Sequence, residues 1–148
     1  MSEKAVNTKV FPGTSRALAT DLYQLTMAQG YFSTGLSERQ AIFHMFYRTP
    51  PFGGRYVVAA GLQSFAEWLD QHTYNEEDLE YLSSLNGRDG SPLFTKDFLS
   101  YLGRWKFRGS IEAVPEGTII FPHEPMVRVR GPLLDSQIIE TTLLNLMN

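Results

Sequence analysis

Three side chains stand where their types could do chemistry: Asp21, Tyr23 and Arg48. Asp21 and Tyr23 fall in Thr20-Asp21-Leu22-Tyr23-Gln24-Leu25-Thr26-Met27, which reads as the first two turns of a helix. Thr20 has the type of an N-cap, and Asp21 in the first turn suits the positive end of the helix dipole. A helix mouth of this kind is an ordinary place to meet a small anionic ligand. Arg48 ends an extended stretch just before Pro50-Pro51-Phe52-Gly53-Gly54, where a guanidinium can grip phosphate oxygens in bidentate fashion. Each residue also fits a plainer role. Tyr23 suits packing on an amphipathic helix, Asp21 a dipole-favoured carboxylate, and Arg48 a surface salt bridge.

Other motifs carry less. Gly53-Gly54 lacks the strand-loop-helix context and the lysine of a P-loop, so it reads as a turn. His44, His72 and His123 show no metal-ligand spacing. Glu76-Glu77-Asp78 reads as a solvated first helical turn, and Arg128 and Arg130 as the outward face of a strand.

The elements that must position these residues follow from periodicity. Residues 1–15 read as a polar, flexible arm. Leu18, Leu22 and Leu25 make one helical stripe, Tyr23, Met27 and Tyr31 a second, and Gly35 is the stop. Gln40 to Arg48 reads as a strand, and Tyr56 to Ala60 as another, with their mutual pairing open. A helix starts after Gly61. The next begins at Asn75 with Asp78 three residues on, and another at Thr95, flanked by Phe94 and Leu99 as a hydrophobic staple. From Gly109 the period is two, giving short strands near Ser110–Val114, Thr118–Phe121 and Met126–Arg130. Leu133 to Asn148 reads as a last amphipathic helix with an apolar face left to cover.

The chain has 148 residues, 43% of them hydrophobic, which allows one domain with a usable core. A net charge of −3 gives no electrostatic case for nucleic-acid binding. Without cysteine there is neither a disulfide framework nor a cysteine metal site, in keeping with a cytoplasmic location. The N-terminal residues lack the apolar core of a signal peptide, and no apolar run is long enough for a membrane.

Thr20 to Ala28 resembles the N-terminal signature of nicotinate phosphoribosyltransferase, a type II phosphoribosyltransferase. Phe46-Tyr47-Arg48-Thr49-Pro50-Pro51-Phe52-Gly53-Gly54, Val114-Pro115-Glu116-Gly117-Thr118, Glu124-Pro125-Met126-Val127-Arg128-Val129 and Glu140-Thr141-Thr142-Leu143-Leu144-Asn145 agree, in the same order. The resemblance runs from about Ala17 to Asn148. It implies an α+β N-terminal domain over residues 16–148, with helices, a small sheet and a barrel-like β sandwich. The α/β barrel that follows in the family is absent, so the chain resembles a fragment truncated at the start of that barrel.

The implied reaction joins nicotinate to phosphoribosyl pyrophosphate, giving nicotinate mononucleotide and pyrophosphate with ATP hydrolysis, in NAD salvage. Mg²⁺ and ATP serve the full-length enzyme. The resemblance assigns Tyr23 to stacking on the pyridine ring across a homodimer interface. Asp21 would then orient Tyr23, a cation or the ribose hydroxyls, and Arg48 would reach phosphates. The family's phosphorylated histidine lies beyond Asn148, and the fragment alone is expected to be inactive. An alternative is a structural or oligomerisation module without catalysis. A biotin or lipoyl carrier domain is disfavoured because no lysine lies between Phe107 and Asn148.

Overall fold

The computed structural model describes residues 16–147. The arm expected over residues 1–15 lies outside them, as does Asn148. Among the described residues, five α-helices and two small antiparallel sheets form an α+β unit. Helix α1 spans Leu22–Ser33, β1 Gln40–Met45, β2 Val57–Val58 and α2 Leu62–Gln71. Then come α3 Glu76–Ser84, α4 Lys96–Leu102, β3 Ser110–Ala113, β4 Ile119–Ile120, β5 Val127–Pro132 and α5 Leu133–Met147.

Local chemistry accounts for most boundaries. Asn75 accepts a bond from the Asp78 backbone N–H at 2.8 Å, and the Asp78 carboxylate accepts from Asn75 N–H at 2.9 Å. This reciprocal capping box starts α3. Asp78 is therefore a buried capping carboxylate and not a solvated one. The Thr95 hydroxyl accepts from the Phe98 N–H and starts α4. Gly35, at φ 73°, ends the chain's first helical segment in a conformation that suits glycine. The first cap differs from expectation. Asp21 sits at the N-cap position without a side-chain capping bond, and the Thr20 hydroxyl is buried with no partner.

The sheets recruit early strands to late ones. β5 lies between β1 and β3, antiparallel to both, with Phe43 and Ile111 opposite Val129. β2 pairs with β4, Val57 opposite Ile120, so β1 and β2 do not pair with each other. The late strands thus do not form a separate β unit, and no closed barrel is present among the described residues. Along β5, Val127 and Val129 are buried while Arg128 and Arg130 are exposed, the alternation of a sheet with one wet face. Arg128 pairs with Glu112 across the β3–β5 ladder.

Helix α5 is the hub. It packs against α1, α2, β1 and β5, and Leu134, Ile138, Ile139 and Leu143 are buried along it. Asp135, Ser136, Gln137 and Thr141 are buried too, so this helix is closer to a core element than to the half-exposed helix the sequence suggests. Its residual exposed apolar surface is at Leu144 and Leu146. At its far end Gly61 lies so close that a Cβ there would meet the Leu146 carbonyl oxygen at 1.9 Å.

Candidate functional site

The two most distant signature motifs meet where α1 crosses α5. Tyr23 projects from the first turn of α1 and is 49% exposed, so the core-packing role does not describe it. Met27, on the same expected stripe, and Leu22, on the other, also face out, whereas Gln24, Leu25 and Ala28 form the buried side. Gln24 is fully buried and completely engaged. Its Nε2 donates to the Tyr23 hydroxyl at 2.8 Å and to Glu140 Oε2 at 3.0 Å, and its Oε1 accepts from Gln137 Nε2. Gln137 Nε2 also donates to Glu140 Oε2, at 2.9 Å. A carboxylate only accepts, so both amide nitrogens must face Glu140, and that fixes both amide orientations.

Asp21 joins the same cluster. Its Oδ2 accepts from the Thr141 hydroxyl at 3.1 Å, tying the start of α1 to the residue after Glu140. The Tyr23 hydroxyl's pKa is raised, first by loss of solvent and then by the negative charges of Glu140 and Asp21; the Gln24 bond opposes this. Tyr23 is thus a neutral phenol on an aromatic surface flanked by two carboxylates.

A small cavity of about 110 Å³ opens beside Glu140, walled by Phe43, Met45, Val129, Ile139 and Leu143, with Ser136 and Gln137 at its polar side. The Ser136 hydroxyl is buried with no partner. Next to it, sharing His44, Met45 and Leu144, lies an open cleft of about 700 Å³. Arg48 lines this cleft with Tyr47, Thr49 and Val58. The structure therefore brings Asp21 and Tyr23 together but leaves Arg48 apart from them. No hydrogen bond or ion pair among the described residues links Arg48 to the Tyr23 cluster, and its guanidinium pairs with no carboxylate there.

Gln24, Gln137, Glu140 and Thr141 are the residues the sequence did not single out. One signal was available: Gln24 lies inside the Thr20 to Ala28 signature stretch, and Glu140 and Thr141 lie inside the closing one, whereas nothing local marks Gln137. No group of three or more His, Asp or Glu side chains that could hold a metal occurs among the described residues. They do not fit a Mg²⁺ site of their own.

A second polar cluster holds the fold rather than a ligand. Asp135, fully buried, accepts from Trp105 Nε1 at 3.1 Å, from the Arg108 backbone N–H at 3.0 Å and from Arg108 Nε at 3.0 Å. The outer face of Arg108 pairs with Glu38 at 2.9 Å.

The family profile described as nicotinate phosphoribosyltransferase (NAPRTase) N-terminal domain matches residues 18–148. A nicotinate phosphoribosyltransferase of Mycobacterium tuberculosis is 42% identical over 129 residues, which are 87% of this chain and 26% of that protein. The Bacillus subtilis enzyme of the same name is 41% identical over 138 residues, 93% of this chain and 27% of the relative. The crystal structure of human nicotinic acid phosphoribosyltransferase superposes with a TM-score of 0.76 at 37% identity, covering 86% of this chain and 25% of that one. A nicotinate-nucleotide pyrophosphorylase from Pyrococcus furiosus shares the fold, with a TM-score of 0.56 at 18% identity. The chain spans about a quarter of the length of these relatives. With its signature motifs in order, its fold matched and the profile covering all but its first residues, the chain belongs to the nicotinate phosphoribosyltransferase N-terminal domain family.

Proposed function

We propose that this chain supplies the ring-binding N-terminal domain of a nicotinate phosphoribosyltransferase that joins nicotinate to phosphoribosyl pyrophosphate, forming nicotinate mononucleotide and pyrophosphate with ATP hydrolysis. Residues 16–148 are the part that packs beside an α/β barrel, in a homodimer of the cytoplasm. Mg²⁺ and ATP belong to the complete enzyme. The observation that carries this reading is the meeting of the Asp21–Tyr23 and Glu140–Thr141 motifs around an exposed aromatic ring. Nothing in packing requires a fully engaged, buried glutamine to hold the hydroxyl of a tyrosine that faces solvent. A site that must present that ring in one orientation does require it.

In this reading Tyr23 stacks on the pyridine ring, Asp21 orients Tyr23, a cation or the ribose hydroxyls, and Arg48 reaches phosphate oxygens from the neighbouring cleft. The test uses the complete enzyme. A stacked ring is worth roughly 1–3 kcal/mol, so Tyr23→Ala is expected to raise the KM for nicotinate about ten- to a hundredfold. Arg48→Ala is expected to raise the KM for phosphoribosyl pyrophosphate and leave that for nicotinate nearly unchanged. Unchanged kinetics for Tyr23→Ala at wild-type stability would leave the structural-module reading in its place.

A further inference from the structure

Tyr23 is flanked by charge of one sign. Glu140 reaches it through Gln24, and Asp21 stands two residues before it; both are held in place, Glu140 by two amide N–H bonds and Asp21 by Thr141. Among the described residues no lysine or arginine pairs with either carboxylate. Both charges act on the Tyr23 hydroxyl in the same direction. An aromatic face beside two unneutralised carboxylates is a better surface for a cationic ring than for a neutral one.

The proposed reaction produces such a ring. The pyridine nitrogen lone pair forms the bond to the anomeric carbon, and the bond from that carbon to pyrophosphate breaks, its electron pair leaving with pyrophosphate. No proton moves, and the ring nitrogen ends with a formal positive charge. The geometry points to Glu140 as a specificity-determining residue, which makes the Tyr23 surface favour the N-substituted, positively charged pyridinium over the neutral pyridine of nicotinate. This rests on the reading of Tyr23 as the ring-binding residue. Nicotinate's own carboxylate gains nothing from this surface and must point away from it. Because charge develops during bond formation, the preference acts on the transition state more than on bound substrate. Glu140 and Asp21 travel with Tyr23, whichever subunit supplies the ring.

The probe is N-methylnicotinate, which carries the same carboxylate as nicotinate and a fixed positive ring. In the complete enzyme, Glu140→Gln keeps the side chain's volume and removes its charge. It is expected to weaken N-methylnicotinate binding about fivefold and lower kcat about as much, while nicotinate affinity moves less than twofold. Asp21→Asn, which breaks none of the amide network, is expected to act in the same direction and supplies the answer if Glu140→Gln lowers folding stability. Equal losses for both ligands would reduce Glu140 to a support for Tyr23 and overturn the proposal. So would full retention of N-methylnicotinate binding in both variants. Failure of the underlying reading looks different: Tyr23→Ala would then change the affinity of neither ligand.

Discussion

His72 shows how burial rewrites the chemistry of one residue. It is enclosed by the rings of Trp68, Tyr74 and Trp105, with centroids 4.5, 5.0 and 5.2 Å away, and neither of its ring nitrogens has a hydrogen-bond partner. Its pKa is lowered from 6.5 to about 4, first by burial and then by nearby Lys106, with Asp78 opposing. A histidine lowered on folding takes up its proton more readily in the unfolded chain between those two pH values. Its contribution is complete above pH 6.5 and is lost as pH falls towards 4. The loss is on the order of 3 kcal/mol. Urea unfolding at pH 7 and pH 4.5 is expected to show a larger drop for the wild type than for His72→Phe; equal drops would mean that His72 is solvated. Residue types single out Tyr23 and Asp21 within a motif. They give no sign of Gln24, which is buried and faces Glu140, 116 positions away in sequence. Spacing within one helix cannot show such a partner.

Elements were legible wherever one residue type sets a boundary. The caps at Asn75 and Thr95 and the stop at Gly35 follow from local hydrogen-bonding and backbone rules and stand as expected. Strand pairing was not legible, because β1 finds its partner β5 across more than 80 residues and short strands carry little register information. The burial of α5 was also hidden: Asp135 and Gln137 near its start suggest a wet face, yet both are buried, as are Ser136 and Thr141. Two glycines separate conformation from contact. Gly61 combines φ 95° with a backbone oxygen in the way of any Cβ, whereas Gly35, at φ 73°, has open space around it. Gly61→Ala is expected to lower stability by roughly 3 kcal/mol or more, because it strains the turn and pushes the end of α5 away. Gly35→Ala is expected to cost about 1 kcal/mol. Denaturant midpoints of the two variants check this, and equal effects would contradict the close approach of α2 and α5. Arg108→Ala leaves the buried Asp135 without its cation. With Arg108 itself half exposed, the loss is expected near 2 kcal/mol.

At the scale of the whole molecule, two facts bear on what these residues do alone. Ile42, Phe43, Phe46, Tyr56, Phe52 and Leu144 remain exposed on one chain, and large exposed apolar side chains favour association. Residues 1–148 are therefore expected to sediment as a dimer or larger, with the associated fraction rising across a concentration series; a monomer throughout would show that this surface is inert. The described residues also lack an acidic group set for a metal. The isolated chain is expected to give no nicotinate mononucleotide when supplied with nicotinate, phosphoribosyl pyrophosphate, ATP and Mg²⁺. The central claim is that the ring of Tyr23, set by Gln24 and Glu140, is the surface on which the pyridine ring lies. The most direct measurement is a crystal structure of the complete enzyme with nicotinate mononucleotide bound. The pyridinium ring is expected to stack on Tyr23, centroids within about 5 Å, with the Gln24 bond to the Tyr23 hydroxyl intact. A ring bound elsewhere, with Tyr23 packed only against protein, would contradict it.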